Sequence, residues 1–173
     1  MPAFYSFLSN ILFMQRPQIR AILDTNVYEY LYKYDLARID RLIEKGELVV
    51  YGCKVIRDEL REIPREFKAD GKSYRNILLG IYDTIIGEHS FPVEKIIEVL
   101  AEEYWVEYAG GVAKRKLFPD FLIVATATIH NLDIIVSQDD RTMKSNPARK
   151  AYEKANQRNG FETPRFISLK ELD

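Results

Sequence analysis

From Pro17 onward, short apolar runs rich in Ile, Leu and Val alternate with longer segments of helical periodicity. Ile19 to Leu23 reads as a buried strand, and Val27 to Tyr34 and Leu36 to Lys45 as helices, the second ended by Gly46. Leu48 to Tyr51 is the next strand, followed by a helix from Lys54 to Ile63 that stops at Pro64. Helices are expected over Tyr74–Ile86 and Val93–Tyr108, separated by Gly87 and Pro92, and a loop at Gly110-Gly111. A helix from Phe118 to His130, entered through Pro119, leads to a short strand at Ile134–Val136, a helix over Ala148–Gln157 and a last strand at Phe166-Ile167. Apolar strands without in–out alternation, each followed by a helix, have only one economical solution: a parallel sheet covered on both faces. The expected architecture is therefore a three-layer α/β/α sandwich.

At 173 residues the chain is the size of one domain and can bury a core without disulfides. Lys and Arg number 25 against 26 Asp and Glu, so net charge offers no bulk attraction to nucleic acid; any such attraction must be local. One cysteine, Cys53, and two histidines, His89 and His130, exclude an internal disulfide and a thiolate- or histidine-rich zinc site. The N-terminal stretch Pro2–Met14 is apolar, but Ser6, Ser9 and Asn10 interrupt it, and it falls short of the ~20 residues of a membrane span. It also lacks the basic start of a signal peptide, so a cytoplasmic protein without membrane attachment is expected. Phe4, Phe7, Leu8, Ile11 and Leu12 fall at helical spacing. Residues 1–18 are thus expected to form an apolar helix or arm, packed on the body or on a second subunit, with one domain over 19–173.

Four acids stand out by position. Asp24 follows Ala21-Ile22-Leu23 and so lies at the carboxyl end of the first strand, the edge where open α/β sheets bind ligands. Asp24, Thr25 and Asn26 could each cap the following helix, but a cap needs one residue, not three. Glu59 can be placed by angle. At about 100° per residue from Val55, the apolar face of its helix centres near 85°, and Glu59 falls near 40°, inside it. An inward carboxylate needs a partner, either an Arg or Lys or a metal. Asp120 is the sole ionisable group between Phe118 and Ile129; in a first helical turn, the helix dipole would favour its charge. Asp139 and Asp140 lie just past the third expected strand, where a turn would also account for them. Each placement has a local explanation, yet all four point to one edge of the sheet.

A carboxylate cluster without His or Cys is a hard oxygen site that selects Mg²⁺ or Mn²⁺ over zinc. Without a cation, repulsion would protonate some of its members. With one, it suits hydrolysis of a phosphodiester. No phosphate-cradling G-x-x-x-x-G-K-[ST] loop and no G-x-G-x-x-G is present.

Ile22-Leu-Asp-Thr-Asn26, the helix around Glu59-Leu60, Pro119-Asp-Phe-Leu-Ile-Val-Ala-Thr-Ala127 and Ile135-Val-Ser-Gln-Asp139 resemble, in order, the motifs of PIN-domain nucleases, including the VapC-like toxins of toxin–antitoxin pairs. The resemblance covers about Ile19 to Leu169. It implies a PIN-like sandwich and a metal-dependent endoribonuclease, with Asp24, Glu59, Asp120 and Asp139 as the catalytic, metal-binding quartet and Asn26 and Ser137 as accessory polar positions. Ser137 stands where Thr is usual, and Met143 near where an aromatic often follows. The helical region from Lys72 to Tyr108 makes the chain longer than a compact toxin.

Local charge suits a polyanion. Basic residues dominate from Arg141 to Arg165, Lys114-Arg115-Lys116 precedes Asp120, and Lys54, Arg57 and Arg61 share the helix of Glu59. Lys116 and Arg141 are the expected substrate contacts. The resemblance further implies an antitoxin partner and a homodimer. The alternative is a PIN-like module that binds RNA or protein without cutting.

Overall fold

The computed structural model describes residues 17–172. The expected N-terminal helix falls outside them. Five parallel strands form the central sheet: β1 (Ile19–Leu23), β2 (Leu48–Cys53), β5 (Ser90–Phe91), β6 (Ile134–Val136) and β7 (Arg165–Ile167). Their order is β5-β2-β1-β6-β7. The small antiparallel hairpin of β3 (Lys68–Ala69) and β4 (Lys72–Ser73) stands apart from this sheet. The helices are α1 (Thr25–Tyr30), α2 (Leu36–Glu44), α3 (Lys54–Glu62), α4 (Tyr74–Ile86), α5 (Lys95–Glu107), α6 (Lys114–Ile129) and α7 (Asn146–Asn159). A π-helical stretch, Leu31–Asp35, joins α1 to α2.

The central strands read as unbroken apolar runs because both faces are covered. Ala21, Ile22, Leu23, Ile135 and Val136 have no exposed surface. From β1 the chain builds outward to β2 and β5, then returns to the other side of β1 for β6 and β7. That reversal is the sheet's switch point. It opens a crevice between the carboxyl ends of β1 and β6, where such sheets bind ligands.

The β3–β4 hairpin, the π-helical stretch and β5 are not expected from the sequence, and one helix starts elsewhere. β5 pairs only Ser90 and Phe91 with Gly52 and Cys53, a run too short to leave a periodic signal. More consequentially, α6 begins at Lys114, so Pro119 lies inside the helix and not at its entrance. The Tyr28, Tyr30, Tyr32, Tyr34 series spreads around its helical segment: Tyr28 is fully buried and Tyr34 is 72% exposed. No helix among the described residues is long and apolar enough to cross a membrane.

Gly52 in β2 serves a close approach. A Cβ there would lie 2.1 Å from the Tyr82 hydroxyl, which comes down from α4 to donate to the Cys53 carbonyl at 3.2 Å. This contact holds α4 against the sheet beside the crevice.

Candidate functional site

Asp24 sits one residue beyond β1, 5% exposed, with extended backbone that places it as the N-cap of α1. Its two oxygens have different partners. Oδ1 accepts the Thr25 N–H at 2.7 Å, which is the capping bond. Oδ2 accepts from Asn26 Nδ2 at 2.6 Å and from the Ser137 hydroxyl at 2.7 Å. Ser137 directly follows β6, and its Oγ also accepts the Asp139 N–H at 3.0 Å. Asn26 Oδ1 accepts the Gln138 N–H at 3.1 Å. Asn26 and Ser137 thus lace the ends of β1 and β6 together and aim Asp24 into the crevice. Burial raises the Asp24 pKa, against the hydrogen bonds from Ser137, Thr25 and Asn26, with the Asp139 charge adding to the rise.

α3 delivers Glu59 from the inward face marked by buried Ile56 and Leu60. Its partner is the Thr25 hydroxyl, not an Arg or Lys. Burial raises its pKa, and the charge of Asp24 contributes in the same direction. α6 delivers Asp120. The first-turn explanation for this acid fails, because α6 starts six residues earlier and Asp120 lies in its second turn, where the dipole gives little help. Burial, with the charges of Asp24, Glu59 and Asp139, pushes Asp120 up to about 7. The other three acids thus lie near enough to act on Asp120 electrostatically.

Asp139 is the member kept acidic. Burial works against it, but hydrogen bonds from the Thr142 hydroxyl and the Thr142 and Arg141 N–H groups outweigh burial and lower its pKa. Those bonds measure 2.6, 2.9 and 2.8 Å, so the turn expected here exists and the acid uses it. Asp140 faces solvent and pairs with Lys144. Thr142 Oγ1 also lies 2.7 Å from Asp120 Oδ2, bridging the two acids. Thr25 and Thr142 are the participants that the sequence reading missed. Thr25 looked like a spare cap, and a threonine three residues past an acid in a turn carries no distinguishing pattern.

None of the four acids makes an ion pair with a Lys or Arg among the described residues. No three acidic, histidine or cysteine side chains among those residues stand close enough together, as placed, to hold a metal ion. The carboxylate oxygens turn instead to the hydroxyl, amide and backbone donors just described. As a donor set they fit a hard divalent cation: all are oxygens, and the nearby Cys53 thiol is pushed up to about 11 by burial and stays protonated.

The basic surroundings are thinner than the sequence suggests. Lys54 and Arg61 pair with Asp58, and Arg57 pairs with Asp83. Lys114 pairs with Glu102 of α5. Lys154 and Arg158 pair with Glu107, and Arg158 also with Glu103. These cations are paired with carboxylates on the surface of the fold. Lys116 and Arg141 remain exposed and outside any ion pair among the described residues. Lys116 stands one helical turn before Asp120, and Arg141 helps to lower the pKa of Asp139.

No protein-family model matches the chain, and no curated protein sequence matches it. Solved structures match it in fold. FitAcB from Neisseria gonorrhoeae is 18% identical, with a TM-score of 0.55 over 85% of this chain and 96% of that one. FitAB bound to an IR36 DNA fragment is 18% identical, with a TM-score of 0.56 over 88% and 97%. VapBC2 from Rickettsia felis, bound to a DNA fragment from their promoter, is 10% identical, with a TM-score of 0.54 over 87% and 99%. At these identities the likeness is one of fold.

Proposed function

We propose that this protein is a Mg²⁺- or Mn²⁺-dependent endoribonuclease of the PIN type, and the toxin of a toxin–antitoxin pair. The observation that carries this reading is the approach of Asp24, Glu59, Asp120 and Asp139 to one another at the switch point, from separate segments and with no ion pair to a Lys or Arg among the described residues. Unpaired clustered carboxylates are costly unless a cation joins them. A bound divalent ion would lower the pKa of a water and stabilise charge on a phosphoryl oxygen. The chain's own residues have distinct tasks. Asp24, Glu59, Asp120 and Asp139 would hold the ion. Asn26 and Ser137 fix the orientation of Asp24, and Thr25 that of Glu59. Lys116 and Arg141 attract the RNA backbone. The named FitAB and VapBC2 assemblies support an antitoxin protein as partner, and a homodimer accords with the same reading.

The test is cleavage of single-stranded RNA by purified protein with Mg²⁺, with Mn²⁺ and with excess EDTA, beside Asp120→Asn. Metal-dependent cleavage by the wild type alone is expected. Cleavage that persists in EDTA, or in the variant, would overturn the reading. RNA bound equally by both proteins, with no turnover in any metal, would favour a non-catalytic module instead.

A further inference from the structure

The β3–β4 hairpin takes no part in the sheet or in the carboxylate pocket, yet it is firmly built. Its two-residue turn, Asp70-Gly71, has φ of 51° and 76°, the left-handed pair that closes a tight hairpin. The Tyr32 hydroxyl donates to Asp70 at 2.6 Å, and the Tyr74 N–H donates to the Phe67 carbonyl at 2.8 Å. Arg75, in the first turn of α4 just after the hairpin, donates to the Arg61 carbonyl of α3 at 3.2 Å. A rigid arm is therefore tied to the end of the helix that carries Glu59.

What this arm displays is not neutral. Phe67 is 56% exposed, although a phenylalanine gains most from burial. Arg65, Lys68 and Lys72 surround it in sequence, all exposed and none in an ion pair among the described residues. Of the two acids in the segment, Asp70 is engaged by Tyr32, which leaves Glu66. An exposed aromatic ring among unpaired cations is the chemistry that holds single-stranded nucleic acid: every base has a face to stack, and every linkage carries a charge. Phe67 lies eight residues after Glu59, three of them helical, so its α-carbon stands within roughly 23 Å of that of the acid along the chain.

Resting on the ribonuclease reading above, we propose that this hairpin is a second contact point for single-stranded RNA. Phe67 stacks on an unpaired base a few nucleotides from the scissile bond, and Arg65, Lys68 and Lys72 hold the flanking phosphates.

The experiment uses full-length Asp120→Asn protein, which retains its substrate, and a fluorescein-labelled single-stranded oligoribonucleotide of mixed sequence read by anisotropy with Mg²⁺. Adding Phe67→Ala should weaken binding at least about fivefold. Phe67→Trp should restore it, and RNA should quench the added indole relative to the parent, which retains Trp105. Replacing Lys68 and Lys72 together by Gln should flatten the salt dependence by roughly 1.4 in log–log slope. Unchanged affinity in Phe67→Ala overturns the proposal, as does a change confined to the oligomeric state in sedimentation, which would make the patch a protein interface. Failure of the parent itself to bind RNA would overturn the ribonuclease reading as well.

Discussion

A threonine hydroxyl owns one proton, and Thr142 Oγ1 stands within hydrogen-bonding distance of both Asp120 and Asp139. It can donate to one of them. With Asp139 kept acidic by two further N–H donors, the proton that completes the other contact resides on Asp120, in keeping with its pKa of about 7. Thr142→Val should remove the bridge and cost roughly 10- to 100-fold in divalent affinity, measured by calorimetry. The titration has a sign. Asp120 is raised above its ordinary value, so the metal-free fold enjoys its full contribution at low pH and loses it as pH climbs through about 7. In EDTA, Asp120→Asn should therefore gain stability over wild type as pH rises from about 4 to about 7, by up to about 4 kcal/mol, seen in thermal melts. Asp139, lowered instead, contributes in the opposite sense and only in the acid range. The same Asn variant with Mg²⁺ should lose cleavage by several orders of magnitude while its circular dichroism stays native. At this scale the sequence was partly legible. The angular position of Glu59 foretold its inward aim. No sequence rule shows that two threonines would supply the donors, because hydroxyls in turns are common and their contacts are tertiary.

Among the elements, α6 teaches the most. A proline normally marks a helix start, and that expectation placed the beginning of α6 too late. Pro119 sits at the sixth position, where its missing N–H leaves the Arg115 carbonyl without the usual helical donor. The extra turn carries Lys114 to Glu102 and lifts Asp120 away from the helix end. The physical environment of that acid is consequently burial, not dipole. β5 was illegible for a different reason: two residues define no period, and the strand exists because β2 offers it an edge. By contrast β1, α4 and β6 match their expected bounds, since each is a strong apolar run, with Pro17 before β1 and Gly87 after α4 as punctuation. The packing of α4 on β2 makes its own prediction. Gly52→Ala should force Tyr82 from the Cys53 carbonyl and lower stability by about 1–3 kcal/mol in denaturant unfolding.

For the molecule as a whole, the reversal of strand order converts four sequence-distant acids into neighbours. The stored repulsion makes cation binding and fold stability one equilibrium. Millimolar Mn²⁺ or Mg²⁺ should raise the melting temperature of the wild type by several degrees, and should do so far less for Asp24→Asn; scanning calorimetry decides it.

Ser137 reaches Asp24 across 113 residues of chain, and β6, which brings it there, is laid down after most of the polypeptide has been synthesised. A nascent chain halted before β6 holds Asp24, Glu59 and Asp120 but neither Ser137 nor Asp139. The full set of acids can therefore close around the crevice only after β6 has joined β1, which makes this edge one of the last parts of the sheet to be completed.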